Sequence, residues 1–239
     1  MRLIDLTLPT AAENLALDEA LLEEAEELDQ AGESLRLWQP LEPLVVIGRS
    51  SHIQEEVNLG LCGERGIPVF RRSSGGAAII AGPGCLMYAV VLSYDRRPSL
   101  RSIDETHKFV LGTIAAGLQS LAPGVSRQGT SDLALEGRKF SGNSVRCKRS
   151  HLLYHGTLLY DFPLPLIGQC LRTPPRQPEY RAGRPHDQFV RNLPCTQADL
   201  RRALCECWHA ESPDDNWPRE RAQRLVRDKF GRDEWNHKT

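Results

Sequence analysis

Near the N-terminus apolar side chains recur at helical spacing, with Leu17, Leu21, Ala25 and Leu28 on one stripe and acidic residues over the rest. Thr10 and Glu13 precede that stripe as a capping box, each able to satisfy the other's exposed amide. A helix is predicted from there to about Leu28, stopped by Gly32. LRLWQP and LVVIGR predict two short strands broken by Pro40 and Pro43, and Glu55 to Arg65 predicts a helix ended by Gly66. IPVFRR and CLMYAVVLSY, rich in β-branched and aromatic residues, predict strands on either side of a glycine-rich segment. Ser102 and Glu105 form a second capping box, opening a helix through about Leu121. Asp132 to Phe162 alternates enough for two or three antiparallel strands, turning at Glu136-Gly137 and at the basic tip Lys148-Arg149-Ser150. Prolines 174, 175, 178 and 185 make the stretch from Arg172 to His186 an ordered crossover or lid rather than a helix. Thr196 caps a last helix through about His209, and the charged remainder predicts a short helix with a frayed end. The pattern is that of a mixed α/β (α+β) fold with a mainly antiparallel sheet flanked by helices.

Composition narrows the picture. The 239 residues suffice for one full-sized core, and 40% hydrophobic with 26% charged residues is ordinary for a globular chain. Thirty basic against 31 acidic residues argue against a general nucleic-acid binder, so no nucleic-acid partner is expected. Seven cysteines are an odd number without zinc spacing and read as reduced thiols. The N-terminus has no long apolar run, so no membrane partner is expected and the expectation is a cytoplasmic protein, monomeric by default.

Three segments carry candidate chemistry. In VFRRSSGGAAIIAGPG, Arg71 and Arg72 end a strand, and Gly75-Gly76 let backbone approach a ligand without an intervening Cβ. Exposed amides in such a bend favour anions, although a hairpin turn with solvated arginines has the same composition. The segment is neither a Walker loop nor a GxGxxG fingerprint. In SDLALEGRKFSGNS, Lys139 follows a glycine turn, where it either reaches a carboxylate or phosphate or is merely solvated. Asp132 either caps its strand or helps hold Mg²⁺. In YHGTLLYDF, His155-Gly156-Thr157 interrupts an apolar strand, as happens where backbone borders a ligand. No nucleophile–base–acid trio can be assembled from the sequence, and Ser73 and Ser74 do not sit in GxSxG.

Taken in order, NLALDEALL, LRLWQP, VVIGR, GIPVFRRSSGGAA, EGRKFSGNS and HGTLL resemble the lipoate-protein ligases, within the larger group of biotin and lipoate protein ligases and octanoyltransferases. The resemblance runs from about Asn14 to Asp161. It implies activation of lipoate or octanoate by ATP and Mg²⁺ as an acyl-adenylate, with release of pyrophosphate. The acyl group then passes to a lysine of a lipoyl carrier domain, that of a 2-oxoacid dehydrogenase or the glycine cleavage H protein. By the same resemblance Arg72 binds nucleotide phosphate, and Ala77, Ala78, Ile79 and Ile80 line the nucleotide and acyl site. Lys139 contacts the acyl carbonyl and the α-phosphate, and Asp132 stands where the family has its metal- or nucleotide-side aspartate. Gly75, Gly76, His155 and Gly156 shape the lipoyl tunnel and its mouth, with Ile79, Ile80 and Leu153 as wall or ordinary core. Residues 1–195 then form the catalytic domain and 196–239 a helical extension unlike the family's accessory domain, so that an accessory subunit enters the expectation.

Two departures stand out: Ala77 replaces a third glycine, and Ala81-Gly82 replace a His-Asp pair. The rival enzyme is an octanoyl or lipoyl transferase that moves a preformed acyl group through a cysteine thioester. SRQGTSDLALEG, where such a cysteine belongs, has none, which leaves Cys85 and Cys147 as the nearest thiols, with Cys195 in NLPC. A non-catalytic binding protein on the same fold is the third reading.

Overall fold

The computed structural model describes residues 1–28, 32–173, 177–210 and 213–238; Pro174 and Pro175 therefore lie outside the described residues. The strands are β1 (Arg2–Asp5), β2 (Ser34–Trp38), β3 (Leu44–Ile47), β4 (Val69–Arg71), β5 (Ile79–Ala81), β6 (Cys85–Ser93), β7 (Ser126–Gln128), β8 (Asp132–Leu135), β9 (Arg138–Cys147) and β10 (His151–Leu159). Among the described residues they form a seven-stranded sheet, β1-β2-β6-β10-β9-β8-β7, and a three-stranded sheet, β4-β3-β5. The larger sheet is antiparallel except where β1 pairs β2, so the fold is mixed α/β with a mainly antiparallel sheet, as the sequence predicts. The hydrophobic pattern did not reveal β1 and β7, two edge strands of the larger sheet.

Alternation along the central strands divides the molecule into two cores. Cys85, Met87, Ala89 and Val91 of β6 face the core under the Ala11–Leu28 helix. Leu86, Tyr88, Val90 and Leu92 face the other, beneath the helices Ile103–Leu118 and Gln197–Cys207. β10 divides the same way: Leu153 and Leu159 go to the first core, Leu152, Tyr154 and Leu158 to the second. His155 and Thr157, at the odd positions between, therefore share the face of the Ala11–Leu28 helix.

The Thr10 box forms as predicted: Glu13 N donates to Thr10 Oγ1 at 3.2 Å and Thr10 N to Glu13 at 2.9 Å. Ser102 makes half of its box, because Glu105 turns its carboxylate to Lys108. Leu28 does not join the buried stripe; it stands 60% exposed at the helix end. Asp18 and Glu19, assigned to the polar cover, are instead buried and ion-paired. The helix expected over Glu55–Arg65 is two, Ile53–Glu56 and Leu59–Glu64, because Val57 takes an extended conformation to bridge Leu171 and Asn58 caps the second piece. At Glu136-Gly137 both residues have positive φ, 52° and 69°, the geometry of a tight hairpin turn.

Up to Lys238 the C-terminal segment is held by tertiary contacts rather than frayed. Arg219–Leu225 and the turn that follows pack on the Ala11–Leu28 helix, while Trp235 and Asn236 bond to β4. Among the described residues no helix is long and apolar enough to cross a membrane.

Candidate active site

Two connected cavities open between the first core, the small sheet and the crossover after β10. The narrower, of about 120 Å³, is walled by Ile79, Ile80, Phe140, Leu159, Ile167, Leu171 and Val190. The wider, of about 590 Å³, combines apolar walls such as Leu15, Val46 and Met87 with the polar groups Asp18, Arg72, Asp132, Asn143, Ser144 and His155. Ala77, Ala78, Ile79, Lys139, Gly142, Thr157, Arg181 and Phe189 border both and so mark the neck.

The glycine-rich bend lies between β4 and β5. Gly76 has φ +88°, and a Cβ on Gly48 would meet the Gly76 carbonyl at 2.0 Å, so glycine at Gly48 lets the β3 end pass beneath the bend. Arg72 is buried, and its guanidinium donates to the carbonyls of Val46 (3.1 Å), Gly75 (2.6 Å) and Ala77 (2.9 Å). Burial pushes its pKa down to about 10, against the pull of Glu56. Arg72 thus borders the wider cavity while bracing the bend. Arg71 faces away, bonding the carbonyls of Gly48, Ser51, Trp235 and Lys238. Ala77 does not take a positive φ, so its methyl brings no backbone strain. One bend amide already holds an anion: Ala78 N donates to the Glu56 carboxylate at 2.5 Å.

Lys139 and Asp132 meet across the β8–β9 hairpin, Nζ to Oδ1 at 2.8 Å. Tyr180, carried in by the crossover, donates its hydroxyl to the other Asp132 oxygen at 2.8 Å. Asp132 is therefore the counter-ion that aims the ammonium. Both its oxygens are engaged, and among the described residues no group of three His, Cys, Asp or Glu side chains could hold a metal. A metal ion at Asp132 would have to displace Lys139 or Tyr180 and take its remaining ligands from water or from a bound phosphate.

Gly156 pairs with Asn143 on β9, and a Cβ there would lie 1.8 Å from Asn143 Oδ1. Its absence leaves Asn143 free to accept from Tyr88 (2.5 Å) and to donate to the Ser131 carbonyl (2.8 Å). His155 Nε2 bonds Ser74 Oγ at 2.5 Å, and its Nδ1 stands 3.7 Å from Asp18. Asp18 pairs with Arg36 at 2.5 Å. Burial pushes the Asp18 carboxyl up, but Arg36 and His155 outweigh it and hold the group below the usual carboxylate range. The order Ser74–His155–Asp18 mimics a hydrolytic triad, yet Ser74 is 2% exposed and borders neither cavity. It ties the bend to the sheet.

Of the residues singled out in the sequence, Arg72, Gly76, Ala77, Ala78, Ile79, Ile80, Asp132, Lys139, His155 and Gly156 border these cavities. Gly75 does not; its carbonyl accepts from Arg72 and Ser144. Leu153 is fully buried core. Sequence reasoning missed Asp18, Arg36, Asn143, Tyr180 and Arg181. For Arg36 a signal existed: an arginine between Leu35 and Leu37 in an apolar strand calls for a buried acidic partner.

The model of the lipoyl protein ligase A/B catalytic domain matches residues 10–200. The chain belongs to this family. Lipoate-protein ligase LplJ of Bacillus subtilis is 29% identical over 161 residues, which is 66% of this chain and 45% of that protein. The chain thus spans less than half the length of that ligase. Octanoyltransferase LipM of Carboxydothermus hydrogenoformans is 26% identical over 98% of this chain and 97% of its own. Among solved structures, a bipartite lipoate protein ligase from Thermoplasma acidophilum, described with its E2 lipoyl domain, superposes with TM-score 0.83 at 23% identity, over 99% of this chain and 95% of that one. A lipoate-protein ligase A bound with ATP follows at TM-score 0.81 and 24% identity, over 99% and 98% of the two chains. At those identities the superpositions establish the shared fold, that of the lipoate ligase catalytic domain.

Proposed function

We propose that the chain is a lipoate-protein ligase that activates lipoate or octanoate with ATP and transfers the acyl group to a lysine of a lipoyl carrier domain. The observation that carries this reading is Lys139, paired with Asp132, at the neck between a small chamber walled by aliphatic side chains and a larger cleft to which Arg72, Asp18 and His155 add charge and hydrogen-bonding groups. The chamber suits an alkyl chain, the cleft a nucleotide that enters as its magnesium complex, and the acid's carboxylate stops at the neck. There a carboxylate oxygen attacks the α-phosphorus; the acyl–phosphate bond forms, and the bond to pyrophosphate breaks with its electrons leaving on pyrophosphate. The acceptor amine then attacks the acyl carbon, AMP departs, and the amine proton passes to solvent. Lys139 offsets the charge that gathers on carbonyl and phosphoryl oxygens in both steps, as a fixed cation that forms no covalent bond. Arg72 holds the bend whose amides face the nucleotide, and His155 and Gly156 shape the mouth.

Residues 1–195 serve as the catalytic unit in this reading, with 196–239 as its extension and lipoyl domains of 2-oxoacid dehydrogenases or the glycine cleavage H protein as acceptors. The E2 lipoyl domain described with the Thermoplasma ligase, and that ligase's bipartite make-up, support a carrier-domain partner and an accessory subunit. A second reading, transfer from a preformed octanoyl donor, draws on the end-to-end match to the LipM enzyme. Against it, Cys85 is buried with its thiol pushed up to about 12, and no cysteine borders either cavity among the described residues.

Incubation with lipoate, octanoate, ATP and an apo lipoyl domain, read by intact mass, tests the proposal. Acylation of the domain with equimolar pyrophosphate, abolished by Lys139→Ala, is the expected result. Acylation of a cysteine of this chain by octanoyl carrier protein, with no pyrophosphate, would establish the transferase instead.

A further inference from the structure

Lys139 and Arg181 are the two cations that border both cavities among the described residues. Lys139 is matched by Asp132, and Arg72 is committed to main-chain carbonyls. The carboxylates lining the cavities are likewise engaged: Glu56 on the Ala78 amide, Asp18 on Arg36, and Asp132 on Lys139 and Tyr180. Arg181 forms no ion pair among the described residues. It is 3% exposed, its Nε donates to the Arg184 carbonyl at 2.9 Å, and its Nη2 is buried with no hydrogen-bond partner among the described residues. A buried guanidinium nitrogen without an acceptor is costly and calls for a partner, whether water, an ion or a ligand; of the nitrogens so placed here, this one borders both cavities.

The chain around Arg181 holds it in place. Tyr180 anchors the turn on Asp132, and the Arg181 guanidinium lies over the Phe189 ring at 4.8 Å. Ala182 closes the turn in the left-handed region at φ 50°, a conformation alanine adopts only when its surroundings impose it. The crossover therefore delivers a fixed, unmatched cation to the neck.

We propose that Arg181 is a ligand-binding residue of this site, donating to anionic oxygens of the carboxylate or the phosphate that occupies the neck. The proposal rests on the ligase reading and adds to it a second cation, contributed by the segment after β10. A planar fork suits either anion, and a neutral amide of the same acid gains little from it.

The test compares the full chain with Arg181→Gln and Arg181→Lys by calorimetry, using octanoate, octanamide and ATP as separate probes. Arg181→Gln is expected to weaken octanoate, ATP or both by roughly tenfold or more, with octanamide unchanged, as loss of a charge-assisted hydrogen bond requires. Which anion suffers identifies the oxygen that Arg181 holds. Arg181→Lys keeps the charge without the fork and recovers part of the loss; it carries the test should the glutamine variant fail to fold. Equal weakening of octanoate and octanamide would mean a packing role, and unchanged octanoate and ATP binding would mean none; either overturns the proposal alone. If the unaltered chain binds neither octanoate nor ATP, the ligase reading falls and this inference with it.

Discussion

At the scale of single residues, the site depends on a few atoms whose absence matters as much as their presence. Gly156 is the sharpest case, because the missing Cβ is what lets Asn143 lie across the strand to reach Tyr88 and Ser131. Gly156→Ala is expected to displace that amide and cost about 1–3 kcal/mol by overpacking, read as a lower denaturant midpoint with an unchanged slope. An unchanged midpoint would show that Asn143 swings away freely. The sequence made part of this legible: His155 and Gly156 interrupt an apolar strand, whereas Lys139 beside a turn and Asp132 at a strand's start stood out only through the order of the motifs around them. It could not show what Arg71 and Arg72 do. Composition at an arginine pair says nothing of whether the donors meet phosphate or carbonyl, and Arg71 finds two of its acceptors at Trp235 and Lys238, far along the chain.

At the scale of elements, the long strands and capped helices followed from periodicity, whereas the short pieces follow from tertiary contacts. Val57 breaks a helix because it bridges Leu171, and the charged tail orders because the folded chain offers it partners. Trp235 and Asn236 form in effect a clasp on β4: Asn236 Oδ1 accepts from Arg71 N at 3.0 Å, Asn236 Nδ2 donates to the Phe230 carbonyl at 3.0 Å, and Trp235 Nε1 donates to the Arg71 carbonyl at 2.8 Å. Asn236 is 4% exposed, so Asn236→Ala leaves a buried amide and a carbonyl unpaired at a cost of about 2 kcal/mol. For a chain of this size that lowers the melting temperature by roughly 4–8 °C. A melting curve that does not move in circular dichroism would mean that the tail detaches in solution.

At the scale of the whole molecule, one sheet separates two cores, and the site forms where the first core meets the small sheet and the crossover. The Asp18–Arg36 pair sits at that meeting point: Arg36 rises from the central sheet, ties the Ala11–Leu28 helix through Asp18 and the Asn14 carbonyl (2.7 Å), and holds the segment after β1 through the Leu6 carbonyl (3.1 Å). With both side chains buried, Asp18→Asn leaves Arg36 without its counter-charge and is expected to cost about 3–5 kcal/mol near neutral pH. Because Asp18 titrates below its unfolded value, its ionised form stabilises the fold fully above the unfolded pKa of about 3.9. That contribution is lost as pH falls through the lower folded value, where the carboxylate takes up its proton. Urea unfolding across pH should therefore show a constant gap between the unaltered chain and Asp18→Asn from pH 8 to roughly 5, closing below about 4. A gap that persisted into acid would place the cost of the substitution in packing rather than in charge. The Ala11–Leu28 helix would then be seated on the sheet by shape alone, and the buried pair would serve the site more than the fold.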